Sequence, residues 1–140
     1  MAGRNQVLRL AICACTLLLT AALWAQAAPQ IVEILADKDS RYRMNGVANP
    51  TLTLKAGTEV RLRITARKAK TRNRDGSVHG FALIRAKGGA KVADWNLLLQ
   101  PGTQEFVLRV PEEPGEYLVV CTVICSERHD GMQMKVIVAA

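Results

Sequence analysis

The chain is poor in the residue types on which many binding sites are built. Only 4% of its 140 residues are aromatic, two are histidine and four are cysteine. So few aromatic side chains offer no stacking platform for nucleic-acid bases, and we therefore expect no nucleic-acid partner. Two of the cysteines, Cys13 and Cys15, lie close to the amino terminus. Elsewhere in the chain, a site that needs imidazole or thiol donors has only two histidines and two cysteines available.

The charge is positive but moderate. The formal net charge is +7, and removal of residues 1–27, which contain Arg4, Arg9 and no acid, lowers it to +5. Such a balance favours acidic protein surfaces or an anionic membrane surface as partners, because charge of opposite sign steers association.

The first 27 residues have the pattern of a secretory signal. A positive start with Arg4 and Arg9 leads into an apolar run over residues 8–24, and Ala25-Gln26-Ala27 follows as a small-residue cleavage site. We predict a signal helix over residues 1–27, cleavage after Ala27, one domain over residues 28–140, and a periplasmic or otherwise extracytoplasmic location. The alternative, an uncleaved membrane anchor, is disfavoured because the run is shorter than the roughly 20 apolar residues that a spanning helix needs.

Residues 28–140 show the two-residue period of β-strands and turn residues between short apolar segments. The pattern predicts seven strands, at Ile31–Leu35, Thr51–Leu54, Glu59–Thr65, His79–Ile84, Gln104–Val110, Gly115–Cys121 and Met134–Val138. Val92–Leu99 is interpreted as a possible short turn of helix. Several short strands with turns between them indicate an all-β sandwich or barrel.

The densest chemical signal is the stretch from Cys121 to Met132, which reads C-x3-C-x3-H-x2-M. Thiolate and thioether are soft ligands and imidazole suits copper, so this set favours copper over any hard cation. A second imidazole, His79, stands at the start of a predicted strand. Because loops cluster at the ends of a sandwich, we expect His79 to lie beside the loop that carries the cysteines.

The loop resembles the CuA copper-binding loop of cytochrome c oxidase subunit II and of nitrous oxide reductase. The spacing of the four donors matches that family without a gap, and His79-Gly80-Phe81 is similar to its first-histidine motif. The resemblance implies a cupredoxin-like Greek-key β-sandwich over about residues 31–138. It also implies a binuclear copper centre that passes single electrons between partner proteins. Such a ligand set leaves no open position for a substrate, so we expect the protein not to be an enzyme.

The resemblance implies six ligands for two copper ions: His79, Cys121, the backbone carbonyl of Val123, Cys125, His129 and Met132. In this arrangement the two thiolates bridge both ions. The upstream histidine and the methionine complete one ion, and the downstream histidine and the carbonyl complete the other.

Other interpretations of the same residues remain open. Cys121 and Cys125 are candidates for a structural disulfide, which is the default for two nearby thiols in an exported domain. A zinc site built from the same donors is disfavoured by Met132, since thioether is a poor zinc ligand. A cysteine–histidine nucleophile lacks an orienting third group. A copper carrier that serves the assembly of an oxidase or reductase is the main functional alternative, and a metal-free structural domain is a third.

One segment, residues 67–74, carries five positive charges and no acid. It follows a predicted strand and closely precedes His79. The simpler interpretation is a solvated loop. The other is a docking surface for a redox partner with an acidic face.

Overall fold

The structure, a computed structural model, describes residues 28–140, which form ten strands and one short 3₁₀ turn at His129–Gly131. The strands are β1 (Gln30–Ala36), β2 (Tyr42–Met44), β3 (Val47–Ala48), β4 (Thr51–Lys55), β5 (Glu59–Ala66), β6 (His79–Arg85), β7 (Lys91–Leu99), β8 (Gly102–Arg109), β9 (Gly115–Val120) and β10 (Gln133–Ala139). The prediction of an all-β fold is confirmed. The predicted signal helix lies outside the described residues.

The strands form two five-stranded sheets. One has the order β3-β2-β1-β5-β8 and the other the order β4-β10-β9-β6-β7. Most neighbours are antiparallel, but β1 pairs with β5 and β4 pairs with β10 in parallel. Among residues 28–140, no helix has the length and apolar composition that crossing a membrane requires.

Alternation of apolar and polar residues places the core between the sheets. In β5, Val60, Leu62 and Ile64 are buried while the residues between them face outward. Two large aromatic residues anchor the interior and satisfy their polar atoms. Trp95 donates its indole N–H to the carbonyl of Arg109 at 2.8 Å, and Tyr117 donates its hydroxyl to a nearby carbonyl at 2.7 Å.

The interpretation of Val92–Leu99 as a turn of helix is wrong, because this segment is strand β7. It pairs antiparallel with β6, and the register shifts between Ala82 and Ile84. Asp94 adopts a left-handed φ of 62° in this irregular stretch. The irregularity breaks the two-residue alternation, so that the apolar positions recur with spacings that imitate a helix.

The two sheets bring the predicted donors to one end of the sandwich. β9 runs antiparallel to both β6 and β10, so the end of β9, the start of β6 and the start of β10 lie together. These three points are marked by Cys121, His79 and Met132. We call this end of the sandwich the site pole.

The other sheet contributes two further segments to the site pole. β1 and β5 are parallel and in register from Gln30 with Val60 to Ala36 with Ala66, so both end at the same level. The turn after β1 and the basic segment after β5 therefore emerge side by side. Their contacts with the loop between β9 and β10 show that they face the predicted donors.

Candidate metal centre

Three of the predicted donors form a compact, buried cluster. A ring nitrogen of His79 and the sulfurs of Cys121 and Cys125 all lie within 4.8 Å of one another. Both cysteines are free, and their Sγ atoms are 3.9 Å apart. The structure therefore holds two separate thiols and an imidazole in a CuA-like cluster.

A hydrogen bond to a backbone carbonyl leaves one ring nitrogen of His79 free to bind a metal. Its side chain is fully buried, and Nε2 lies 2.8 Å from the carbonyl oxygen of Arg67. A carbonyl only accepts hydrogen bonds, so Nε2 carries the proton and Nδ1 keeps its lone pair. Nδ1 is buried without a hydrogen-bond partner. A carbonyl that fixes the tautomer in this way is the usual support of a metal-binding histidine.

Each sulfur has a polar neighbour from outside the loop. The amide of Gly80 donates to Cys121 Sγ at 3.3 Å. The hydroxyl of Ser40 lies 3.4 Å from Cys125 Sγ and 2.6 Å from the hydroxyl of Ser126, which accepts from the amide of Arg128 at 3.1 Å. When Cys125 is a thiolate, the two hydroxyls form a donor chain that ends on its sulfur.

The two thiols share their protons unequally. The pKa of Cys125 is lowered to about 3, mainly by the hydrogen bond with Cys121 and less strongly by Ser40 and by the nearby imidazoles of His79 and His129, against the effect of burial. The same hydrogen bond and burial raise the pKa of Cys121. The pair therefore tends to hold one thiolate and one thiol when no metal is bound, and a metal displaces the remaining proton.

Met132 and the carbonyl of Val123 lie against the same sulfurs. Met132 is buried, with Sδ 3.8 Å from Cys125 Sγ, and Val123 O is 3.1 Å from Cys121 Sγ. The amide of Cys121 donates to the carbonyl of Met132 at 3.2 Å, which closes the base of the loop. The loop thus brings a thioether and a carbonyl oxygen to the thiols.

His129 has a different position from His79. It lies in the 3₁₀ turn, is only partly buried and is not part of the 4.8 Å cluster. Its Nδ1 is nevertheless buried without a hydrogen-bond partner, and its ring contributes to the lowered pKa of Cys125. His129 is therefore less buried than the three clustered donors but close enough to Cys125 to lower the pKa of that thiol.

Sequence reasoning missed Ser40 and Tyr42, and it gave Gly80 only as part of a motif without its packing role. Ser40 is buried in the turn after β1 with a left-handed φ of 59°. Tyr42 donates its hydroxyl to the carbonyl of Gly80 at 2.5 Å. A Cβ on Gly80 would lie only 2.6 Å from the backbone nitrogen of Thr122, so glycine is required for β6 to approach the loop. The local sequence indicates a turn near Ser40 but not its partner, since that contact spans 85 positions.

Comparisons with known proteins agree on the fold. A chain of a heme-copper terminal oxidase dimer superposes with a TM-score of 0.56 at 23% identity, covering 80% of this chain and 66% of the oxidase chain. The copper protein rusticyanin from Thiobacillus ferrooxidans gives a TM-score of 0.52 at 20% identity, covering 80% and 79%. Auracyanin A, a "blue" copper protein from Chloroflexus aurantiacus, gives 0.54 at 23%, covering 80% and 100%.

Neither a family model nor a curated protein matches the chain. The structural likeness defines the class of fold, which is the cupredoxin-like β-sandwich. Within that class, the two cysteines and the buried histidine distinguish a CuA-like cluster. The chain spans slightly less than two thirds of the oxidase chain that it resembles.

Proposed function

We propose that this protein is an exported copper protein with a binuclear CuA-like centre, which transfers single electrons between partner proteins. The proposed ligands are His79, Cys121, the backbone carbonyl of Val123, Cys125, His129 and Met132. The proposal is supported by the cluster of His79, Cys121 and Cys125 and by the fold that the chain shares with copper proteins.

The observation that carries the proposal is the pair of unpartnered imidazole nitrogens. Nδ1 of His79 and Nδ1 of His129 are both buried without a hydrogen bond. A buried polar atom without a partner costs about 1–3 kcal/mol. Two such atoms beside two free thiols are explained when both nitrogens bind a metal, and sulfur donors with imidazole select copper.

The donors fit a pair of copper ions in number and in kind. Held by these residues, two copper ions would supply a centre that shares one electron, so that each transfer would need little rearrangement. The chain's own residues hold the ligands in place. The carbonyl of Arg67 orients His79, and the amide of Gly80 and the hydroxyl of Ser40 hold the two sulfurs.

Burial of the cluster favours electron transfer over catalysis. His79, Cys125 and Met132 are at most 1% exposed, and Cys121 is 6% exposed. A substrate has no direct approach to these atoms, whereas a catalytic metal site keeps an open position for one. We therefore propose no enzymatic activity for this site.

Export is part of the proposal. We propose that residues 1–27 direct the chain out of the cytoplasm and that the mature protein begins at Ala28. The test is the intact mass of the protein recovered from a fractionated Gram-negative host. A mass that starts at Ala28 in the periplasmic fraction supports export, and a full-length chain in the cytoplasm or membrane contradicts it.

The central test measures copper in residues 28–140. We expect two copper ions per chain and a paramagnetic-resonance signal whose hyperfine pattern reports coupling of one electron to two copper nuclei. His129→Ala should abolish this signal, because it removes the donor of one ion. Gln133→Ala, an exposed neighbour of Met132, is the matched control and should keep it. One copper per chain in the wild type, or a retained signal in His129→Ala, contradicts the proposal.

Copper delivery is the second candidate function, and the position of His129 favours it. The compact cluster contains only one histidine, and with Met132 it offers a soft site for a single Cu(I) ion. Delivery predicts one Cu(I) per chain that passes to a Cu(I) chelator within seconds. Retention of two ions against the same chelator rejects delivery in favour of electron transfer.

A further inference from the structure

The basic segment of residues 67–74 is hydrogen-bonded to the loop that carries the cysteines. The amides of Lys70 and Thr71 both donate to the carbonyl of Cys125 at 3.1 Å. The hydroxyl of Thr71 donates to the carbonyl of Ile124. The segment is therefore a fixed part of the site pole, and its backbone contacts the residue that carries one of the two central sulfurs.

Three cations of this segment have no ion-pair partner among residues 28–140. Arg67 pairs with Asp37 at 3.6 Å and Lys70 pairs with Glu127 at 2.7 Å, but Lys68, Arg72 and Arg74 form no salt bridge there. All three side chains are exposed. We call Lys68, Arg72 and Arg74 the basic rim. Its charge is available to an external partner.

Ile124 supplies an apolar contact beside this rim. Its side chain is 74% exposed, although the residue lies between the two cysteines and is bonded directly to Cys125. A single exposed isoleucine is ordinary on a protein surface. Here its carbonyl accepts a hydrogen bond from Thr71, the residue before Arg72, so Ile124 lies beside the basic segment. An apolar centre with a charged surround is the usual composition of a protein-docking surface.

We infer that the surface formed by Ile124 and the basic rim is the docking site for an acidic redox protein. The inference rests on the proposed function and names the partner class of the same site. The partner has an apolar contact surrounded by carboxylates, which complement the three free cations and steer its approach. Docking here places the partner one residue from Cys125, a proposed ligand of the centre.

The test compares two variants of equal charge. The rim variant combines Lys68→Gln, Arg72→Gln and Arg74→Gln. The control variant combines Lys55→Gln, Lys87→Gln and Lys91→Gln. The control residues are also exposed and free of salt bridges within the described part of the chain, and they lie at the opposite end of the sandwich. The probe is an acidic c-type cytochrome at low ionic strength.

The first readout is the binding of the copper-free protein to the cytochrome, measured from NMR chemical shifts. This measurement does not depend on the proposed electron transfer. We expect shifts at Ile124 and the basic rim, and a loss of affinity of about tenfold or more in the rim variant alone. Equal losses in both variants mean that only net charge matters, and they overturn the inference. Tighter binding to vesicles that contain phosphatidylglycerol than to the cytochrome assigns the surface to a membrane and also overturns it.

The second readout is the rate of electron transfer from the copper-loaded protein. Ile124→Ser should slow transfer to the acidic cytochrome without changing the copper spectrum, whereas Ile31→Ser, a matched exposed isoleucine on β1, should not. Equal rates in these two variants contradict the apolar part of the docking site. If the wild type binds the cytochrome at the rim but does not cycle copper, the proposed function fails and the docking site stands.

Discussion

At the scale of single residues, the site depends on partners that distant parts of the chain supply. The spacing of Cys121, Cys125, His129 and Met132 could be read directly from the sequence, since all four share one loop. The proximity of His79 could be expected from strand order. The hydrogen bonds to the sulfurs could not, because a backbone amide and a serine hydroxyl carry no mark in the sequence. Their roles depend on how the two sheets meet.

Ser40 offers a direct test of the hydrogen bonds that support the cysteine sulfurs. We expect Ser40→Ala to lower the reduction potential of the copper-loaded protein, because a hydrogen bond to a thiolate disperses its charge and favours the reduced state. A bond of about 1 kcal/mol corresponds to roughly 40 mV for one electron. Protein-film voltammetry measures the shift. An unchanged potential contradicts a role of the hydroxyl at Cys125.

Ser40→Gly distinguishes the effect of losing the hydroxyl from the effect of backbone strain. Ser40 has a φ of 59°, which a glycine adopts without strain and an alanine does not. Both variants should show the same potential, but Ser40→Ala should unfold at a lower denaturant concentration than Ser40→Gly. Equal midpoints contradict the proposed cost of the left-handed conformation.

At the scale of elements, the strands with regular alternation could be predicted and the irregular ones could not. All seven predicted strands are present, with ends that differ by no more than two residues. β2 and β3 were missed because they have only three and two residues, too few to show a period. β7 was misread because its alternation breaks near Asp94. Hydrogen bonding to β6 decides its conformation, and a local pattern does not report such a partner.

The close approach of β6 to the loop after β9 leads to a prediction for Gly80. Gly80→Ala should destabilise the fold by about 1–3 kcal/mol and weaken copper binding, because its Cβ meets the backbone of Thr122 and pushes the amide away from Cys121. Urea unfolding and copper titration measure the two effects.

Gly131→Ala is the matched control for this substitution. Its Cβ would meet only the flexible end of the Arg41 side chain, at 3.3 Å, and this side chain is able to move. The control should therefore keep both stability and copper binding. Equal behaviour of the two variants would mean that the tight approach at Gly80 does not support the site.

At the scale of the whole molecule, most of the core is separate from the site, although Cys121, Cys125 and Met132 are packed into it. The core fills the space between two five-stranded sheets along their length, with Trp95 and Tyr117 among its largest side chains. The proposed ligands lie at one pole, and the loop that carries most of them is closed by a backbone hydrogen bond between Cys121 and Met132. The sheets and this closure are formed by contacts within the chain itself.

This separation predicts the effect of copper removal. The copper-free protein should remain folded and unfold cooperatively, but at a lower temperature, since a ligand that binds only the native state stabilises it by mass action. Copper at about 100 times its dissociation constant contributes roughly 2.7 kcal/mol, or about 10 °C in Tm for a domain of this size. Calorimetry with and without a copper chelator measures the difference. A copper-free chain that lacks a cooperative transition would contradict the prediction, because it would show that the metal holds the two sheets together.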